Sequence, residues 1–574
     1  MPCSNNTSDL SEAVRRDDQK AHAGPAAIAI REEFGWRRYS ASTCVVWFKG
    51  WVDQMDYRSL SDWLADVCQV GGAERLAEAF ASLDGHFAIV ATGPGWSMAA
   101  VDWVRSIPLA VAEIDGAWTI DDQADRLRRR AGLSGEDINL DVAREIAMAG
   151  YGIDNRSLYN GLHVLGPGEL MWFEENKEPR RTRYYTYQPW KTGERADPPT
   201  ENDLADCTLG LIQRLLQSLD GRPLVVPLSA GYDSRLIVSA ARHLGARNVQ
   251  CFSYGRADNH EAKVAEAVAE RLGYQWKFVP CTTGELRRFF NGEEYSAYLR
   301  FADSCTSVPF VQDMFAIKKL QEEGYIPPEA VIANGNSGDF ISGGHIAPVL
   351  RETPRGMTEA ERRERILSAL YDKHFALWGA LRSEENRDHI IDSLLDSLSH
   401  ADALIREPEH DHGLYEYVEF QDRQCKYVIT GQRIYEFLGH DWRLPLWENP
   451  YLRFWETVPL SDKTGQFLYA RTLENSNWGG VWDDIPVNRL TVRPSWIIPL
   501  RWLFKLLHVP LGKRRWHRFE RQYFQYWMDI TCNSACEPYT KVAKDRRGSR
   551  QSVSWLAEQY LVRHGVSLDA FVSG

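Results

Sequence analysis

The sequence predicts a doubly wound α/β domain built on a parallel sheet, preceded by an α+β sandwich domain. Three observations carry this reading. Residues 27–190 hold short β-like runs separated by Gly, Pro and Asp. From 204 to 334, strand-length apolar runs alternate with helical stretches of about 12 residues. Two Gly-bearing segments, 229–234 and 334–344, directly follow such runs.

The 574 residues allow two to four domains, at about 100–200 residues each. With 44% hydrophobic and 25% charged residues, the composition excludes collagen-like, coiled-coil and wholly disordered chains. A net charge of −12 argues against a nucleic-acid partner. The 21 Trp, 24 Tyr and 22 Phe are first of all core material. Ten scattered cysteines, with only Cys532 and Cys536 close together, read as reduced thiols of a cytoplasmic protein. The start, MPCSNNTSDLSEAVRRDDQK, has no apolar stretch of the signal-peptide kind, and no apolar run reaches membrane-spanning length.

In order, residues 1–24 form a polar extension expected to lack order. Residues 25–190 form the first domain, with β-runs such as CVVWFKGWV, GHFAIVAT and GELMWFEE. Helices are expected at Ser59–Val70, Glu74–Ser82 and Asp141–Ala149. Residues 191–203 (KTGERADPPTEND) read as a linker, and 204–480 as the doubly wound domain. Its strands are PLVVPL, NVQCFSYG, WKFVP and AVIAN, and a helix over 416–436 should border its cleft. Residues 481–574 form a basic, aromatic helical extension. Within it, 493–521 set Arg493, Arg501, Lys505, Lys513, Arg514, Arg515, Arg518 and Arg521 against Glu520 alone. A short helix bracketed by Pro494 and Pro510 either packs on the second domain or lies on an anionic membrane surface.

The chemistry is concentrated in Leu228-Ser229-Ala230-Gly231-Tyr232-Asp233-Ser234. A small turn between a buried strand and a helix exposes backbone N–H groups, a cradle for pyrophosphate. Ser229 and Ser234 add hydroxyls, and Asp233 offers a carboxylate to Mg²⁺. Asn334-Gly335-Asn336-Ser337-Gly338-Asp339 follows the next apolar run, so Asp233 and Asp339 are expected to share one metal.

Together these segments resemble the asparagine synthetase family of pyrophosphate-loop ATP hydrolases. Ser229–Ser234 is similar to the family's S-G-G-x-D-S, with Ala230 replacing a Gly. Asn334–Gly344 is similar to S-G-x-G-A-D-E-x-x-G-G, Glu261 to the acid ahead of a helix, and Asp441–Glu448 to E-x-R-x-P-x-x-D. Upstream, Gly85–Val90, Asp102–Leu109, Leu165–Leu170 and Arg183–Tyr185 resemble the Ntn-type glutaminase domain that precedes it. That domain uses an N-terminal Cys. Here Pro2 precedes Cys3 and Lys49 occupies the area of a glutamine-binding turn, so the resemblance implies a glutaminase fold without its chemistry.

The resemblance implies that ATP and Mg²⁺ are used. Leu228, Ser229, Ala230, Gly231, Asp233, Ser234, Phe252, Ser253, Asn334 and Gly335 would form the nucleotide site, and Asp233 and Asp339 the metal site. Lys463 is the nearest match to the family's transition-state lysine, although strict register gives Gln466. Asp422, Lys426 and Arg433 are alternatives. Asn336 stands where asparagine synthetases carry Glu and β-lactam synthetase Tyr, and their partner acid falls near Tyr427. The expected activity is amide formation through an acyl-adenylate, with ammonia or an amine as donor, supplied free or by a separate glutaminase. Similarity to asparagine synthetase-like proteins of surface-polysaccharide pathways implies a sugar uronate as acceptor and a place at the inner membrane face. Asparagine synthesis proper and a non-catalytic ligase fold are the alternatives.

Overall fold

Alternating apolar residues in Val45–Val52 and an entirely buried Gly85–Gly93 form the centre of an antiparallel sheet. The computed structural model describes residues 24–41, 43–194, 197–352, 355–402, 407–487 and 491–572. The N-terminal extension, Cys3 included, lies outside them except for Gly24. The chain divides into two compact units: residues to Leu133 with Gly161–Thr186, and Ser134–Asn160 with everything from Tyr187 onward.

In the first unit, six antiparallel strands run in the order 180–183, 169–174, 96–101, 85–93, 45–52 and 37–40. The helix Tyr57–Ala81 covers one face, with Leu60, Leu64, Leu76 and Phe80 packed among Phe48, Phe87, Ile89 and Met98. Gly72, at φ 66, breaks this helix into the two segments expected from sequence. A mixed four-stranded sheet holds 27–28, 117–121, 110–114 and 162–164. Asp102, in the segment resembling the glutaminase pattern, is structural. Its carboxylate accepts from the N–H groups of Phe87 (3.0 Å) and Val104 (2.9 Å), while burial pushes its pKa up to about 6.

The second unit is built on five parallel strands in the order Gln275–Pro280, Val249–Gly255, Leu224–Pro227, Val331–Ala333, Asp441–Arg443. Chain order reverses between Leu224–Pro227 and Val331–Ala333. The crevice at their carboxyl ends is where such sheets bind ligands. The fifth strand, Asp441–Arg443, lies in a segment that sequence marked only as a motif.

Two boundaries and one element differ from expectation. Ser134–Asn160 packs with the second unit: the Leu377 N–H donates to Met148 O (3.0 Å), and Lys426 Nζ to Gly152 O (2.8 Å). Residues 481–574 belong to the same unit rather than standing apart. There Tyr560 OH meets Asp303 Oδ1 at 3.0 Å, and Ser554 Oγ donates to Leu377 O at 2.7 Å. The basic segment is a helical hairpin, Ile497–His508 and Lys513–Tyr523, because Gly512 at φ 84 turns the chain after Pro510. No helix among the described residues is long and apolar enough to cross a membrane.

Candidate active site

Strand Leu224–Pro227 hands the chain to a turn whose hydrogen bonds are internal. The Ser229 N–H donates to Ser234 Oγ (3.0 Å), the Gly231 N–H to Ser229 Oγ (3.2 Å), and the two hydroxyls lie 3.1 Å apart. Ser253 Oγ ties the strand end to its neighbour by donating to Leu228 O at 2.7 Å. Helix Tyr232–His243 then starts at Gly231 with no side-chain cap, leaving its first N–H groups to the crevice. Arg235 is fully buried and donates to the carbonyls of Val481, Ile485 and Pro486, so it fastens residues 481–486 rather than facing a ligand.

The second loop docks on this turn through glycines. A Cβ on Gly335 would stand 2.8 Å from Ser234 N, and one on Gly338 would stand 2.6 Å from Asp233 Oδ1. Their absence lets the Asp339 N–H reach Asp233 Oδ2 at 3.2 Å, while Tyr469 OH donates to Asp233 Oδ1 at 3.0 Å. Burial and the charge of Asp339 push the pKa of Asp233 up to about 8. Burial would raise that of Asp339 too, but its hydrogen bond to His345 Nε2 (3.0 Å) and the imidazolium charge hold it down. His345 in turn has its pKa raised to about 9. Burial opposes the cation, but Glu419 and Asp339 on either side outweigh that.

Both loops face one cavity of about 580 Å³. Its walls include Leu228, Ser229, Gly231, Asp233, Ser234, Phe252, Ser253, Asn334, Gly335 and Asp339, so nearly all the residues singled out from sequence meet there. Ala230 does not line it; it is buried beneath the turn, with its carbonyl accepting from Arg235. Asn336, Tyr427 and Glu261 also border the cavity, and burial raises the pKa of Glu261. Two carboxylates, an open helix start and serine hydroxyls around one space suit a nucleotide with a divalent cation.

Comparison with known proteins agrees with this geometry. Residues 215–465 match the family model described as asparagine synthase. They form an asparagine synthase domain. The chain is accordingly a carbon–nitrogen ligase that uses ATP. Among solved structures, it is similar to a glutamine phosphoribosylpyrophosphate amidotransferase from B. subtilis complexed with ADP and GMP. The identity is 11% and the TM-score 0.17, over 44% of this chain and 74% of that one. It is also similar to an allosteric regulatory enzyme of purine biosynthesis, at 11% identity and TM-score 0.18, over 42% of this chain and 62% of that one. At these scores the likeness supports no functional assignment. No curated protein matches the chain.

Within the asparagine synthase domain, the cations are not where sequence put them. Lys463 is fully buried, its ammonium 3.2 and 3.3 Å from the Glu416 carboxylate, and it does not reach the cavity. Lys426 is paired with Asp422 at 2.8 Å and Arg433 with Glu436 at 2.7 Å, all buried. The cavity instead receives Arg423, Gln466 and His345. Within 416–436 the winding also differs from expectation. The expected single helix over 416–436 is an α-helix to Glu419, a π-helix over Phe420–Val428, a 3₁₀ turn and a short α-helix. The wider π turns shift which residues share a face, so counting at 3.6 residues per turn misassigns them. The signal that could have found Arg423 was its charge, one residue from Asp422 and three from Lys426, both already named.

Proposed function

We propose that the ligase activates an acceptor carboxylate as an acyl-adenylate and passes the acyl group to ammonia or a primary amine. The carboxylate oxygen attacks the α-phosphorus of ATP as the bond to the β-phosphate breaks. The nitrogen then attacks the acyl carbon, releasing AMP and giving the amide. In this reading the turn Leu228–Ser234, with Phe252, Ser253, Asn334 and Gly335, seats the nucleotide. Asp233 and Asp339 are the residues that would hold Mg²⁺, which when bound supplies charge neutralisation on the departing pyrophosphate. The donor set suits it, since Mg²⁺ favours one or two carboxylates plus phosphate oxygens and water. His345 orients the Asp339 carboxylate, and Arg423 offers a guanidinium to the phosphorus oxygens where charge builds up.

The reading is supported above all by the meeting of Asp233 and Asp339 across two glycine-paved loops in the matched domain. Asn336 at the cavity wall, in place of the synthetases' Glu, favours an acceptor other than aspartate. A sugar uronate is our choice, on the resemblance to surface-polysaccharide enzymes, and the hairpin 497–523 is the surface we assign to an anionic membrane carrying such substrates.

Pyrophosphate release measured with ammonium across aspartate, free uronates and nucleotide-linked uronates tests this. A uronate should support release, and Asp233→Asn and Asp339→Asn should each lower it about 10²–10³-fold with the fold intact. Near wild-type release by Asp339→Asn, or release with no acid tried, would overturn it.

A further inference from the structure

A second cleft, of about 420 Å³, opens beside the cavity, and Gln551 lines both. Its charged walls are Arg382, Arg521, Arg550 and a single acid, Asp372. Arg382 is ion-paired with Asp372 and lies 4.7 Å over the Tyr371 ring. Arg550 donates to the Lys373 carbonyl at 2.7 Å. Neither Arg550 nor Arg521 meets a carboxylate among the described residues. Three arginines thus line one cleft with a single acid, already paired with Arg382, in a chain whose net charge is −12. Burial and then the charges of Arg521, Arg382 and Arg423 lower the pKa of Arg550. Arg423 continues this cationic track to the cavity wall.

We infer that this cleft is a subsite for a phosphate or diphosphate group carried by the acceptor. Guanidinium forks match phosphate oxygens bidentately, and a dianion here would satisfy the two arginines that lack an acid. The inference rests on the proposed ligase reading and narrows it. The acceptor would then carry a carboxylate for the cavity and, further along, a phosphate ester, as in nucleotide-linked or lipid-linked sugars. Gln525 and Gln551 complete the wall with neutral amide groups that tolerate either neighbour of the phosphate.

The test is calorimetric titration of the full chain with inorganic pyrophosphate, with the nucleotide site filled by a non-hydrolysable ATP analogue and Mg²⁺. Binding should persist in the wild type. It should weaken about tenfold or more, the scale of a lost charge-assisted hydrogen bond, in Arg521→Gln and further in Arg521→Gln/Arg550→Gln. The Arg521 side chain makes no hydrogen bond or ion pair among the described residues, so that variant isolates charge from folding. Displacement of pyrophosphate by UDP-glucuronate points to a nucleotide-linked acceptor, and displacement by geranyl diphosphate to a lipid-linked one; either supports the subsite. Loss of binding when the ATP analogue is present, or unchanged affinity in both variants, overturns it. Failure of the ligase reading shows separately, as absence of acid-dependent pyrophosphate release by the wild type.

Discussion

Lys463 is paired with Glu416 in the core, where burial pushes its pKa down, and its loss has a consequence that differs from the loss of Arg423. Breaking a buried pair strands the remaining ion, at a cost of about 3–5 kcal/mol, because the pair's desolvation is no longer offset. Lys463→Met should therefore lower the melting temperature sharply, because the buried Glu416 carboxylate is left with His412 Nδ1 (2.8 Å) in place of its ammonium partner. Arg423→Gln should lower melting less, because its buried partner Glu419 keeps His345, Lys373 and His374, and should slow pyrophosphate release about 10²–10³-fold. A stable, merely slow Lys463→Met would show that the lysine does act on substrate. Glu145 gives a pH readout. It is buried, accepts the Ile153 N–H at 2.7 Å and faces Arg156, yet burial pushes its pKa from 4.5 to about 7. A carboxyl raised in the folded state binds more protons there than in the unfolded chain, so stability falls as pH rises from about 4.5 through 7. The span corresponds to about 3 kcal/mol. Glu145→Gln removes that titration, so its melting temperature relative to wild type should climb between pH 5 and pH 8. A constant difference across that range would contradict the assignment.

At the level of elements, the hairpin is the least settled surface of the chain. Ile497 and Phe504 turn inward onto Trp516, Phe519 and Phe524, with Phe504 and Phe519 stacked at 5.1 Å. Trp496, Leu500, Leu503 and Leu507 form an outward stripe at helical spacing. With Trp502, Leu506, Val509 and Leu511 they make up eight of the fifteen large hydrophobic residues exposed among the described positions. Lys505, Lys513, Arg514, Arg515 and Arg518 lie exposed around this stripe. Symmetric pairing of two copies would bring those cations together, whereas an anionic membrane answers them at about 1 kcal/mol each. The protein should cosediment with phosphatidylglycerol vesicles at low salt and leave them at high salt. Lys505, Arg514, Arg515 and Arg518 changed to Ser should abolish this without altering ATP use. Arg501 is a poor choice, since it is tied to Glu520 across the hairpin. Indifference to the vesicles, or a dimer that the same changes dissolve, would assign the stripe elsewhere. The basic charge and aromatic content of this segment were legible in sequence, but its turn was not: Gly512 follows Pro510 closely, and only the fold shows which apolar face is already filled. The parallel strands were legible because each is a short apolar run with a helix after it. The strand Asp441–Arg443 was not, being three residues long with two of them charged. The π-wound stretch Phe420–Val428 escaped for a related reason, since nothing in its composition marks the change of period.

For the whole molecule, the source of nitrogen turns on what the first unit can do. Glutamine hydrolysis in a unit of the first kind calls for an accessible thiolate. Cys44, the cysteine of that unit whose side chain is described, is buried in the sheet core, and burial pushes its thiol up to about 11. Lys49, in the area of the glutamine-binding turn, is likewise buried. The first unit thus keeps a hydrophobic core, the buried Asp102 turn and the helix 57–81, all of which serve folding. The chemistry-bearing side chains gather in the second. The prediction is that the purified chain, given ATP, Mg²⁺ and its acceptor, makes amide with ammonium or an amine and none with glutamine alone. Glutamate release, followed by a coupled dehydrogenase assay, should stay at background. A Cys3→Ser variant serves as the control, because Cys3 lies outside the described residues and is the position nearest the usual nucleophile. Glutamate release that disappears in Cys3→Ser would restore a glutamine-fed mechanism. Ammonium-dependent amide formation equal in both proteins would leave the first unit with a structural part alone, and would make free ammonia, an amine or a separate glutaminase the source of nitrogen.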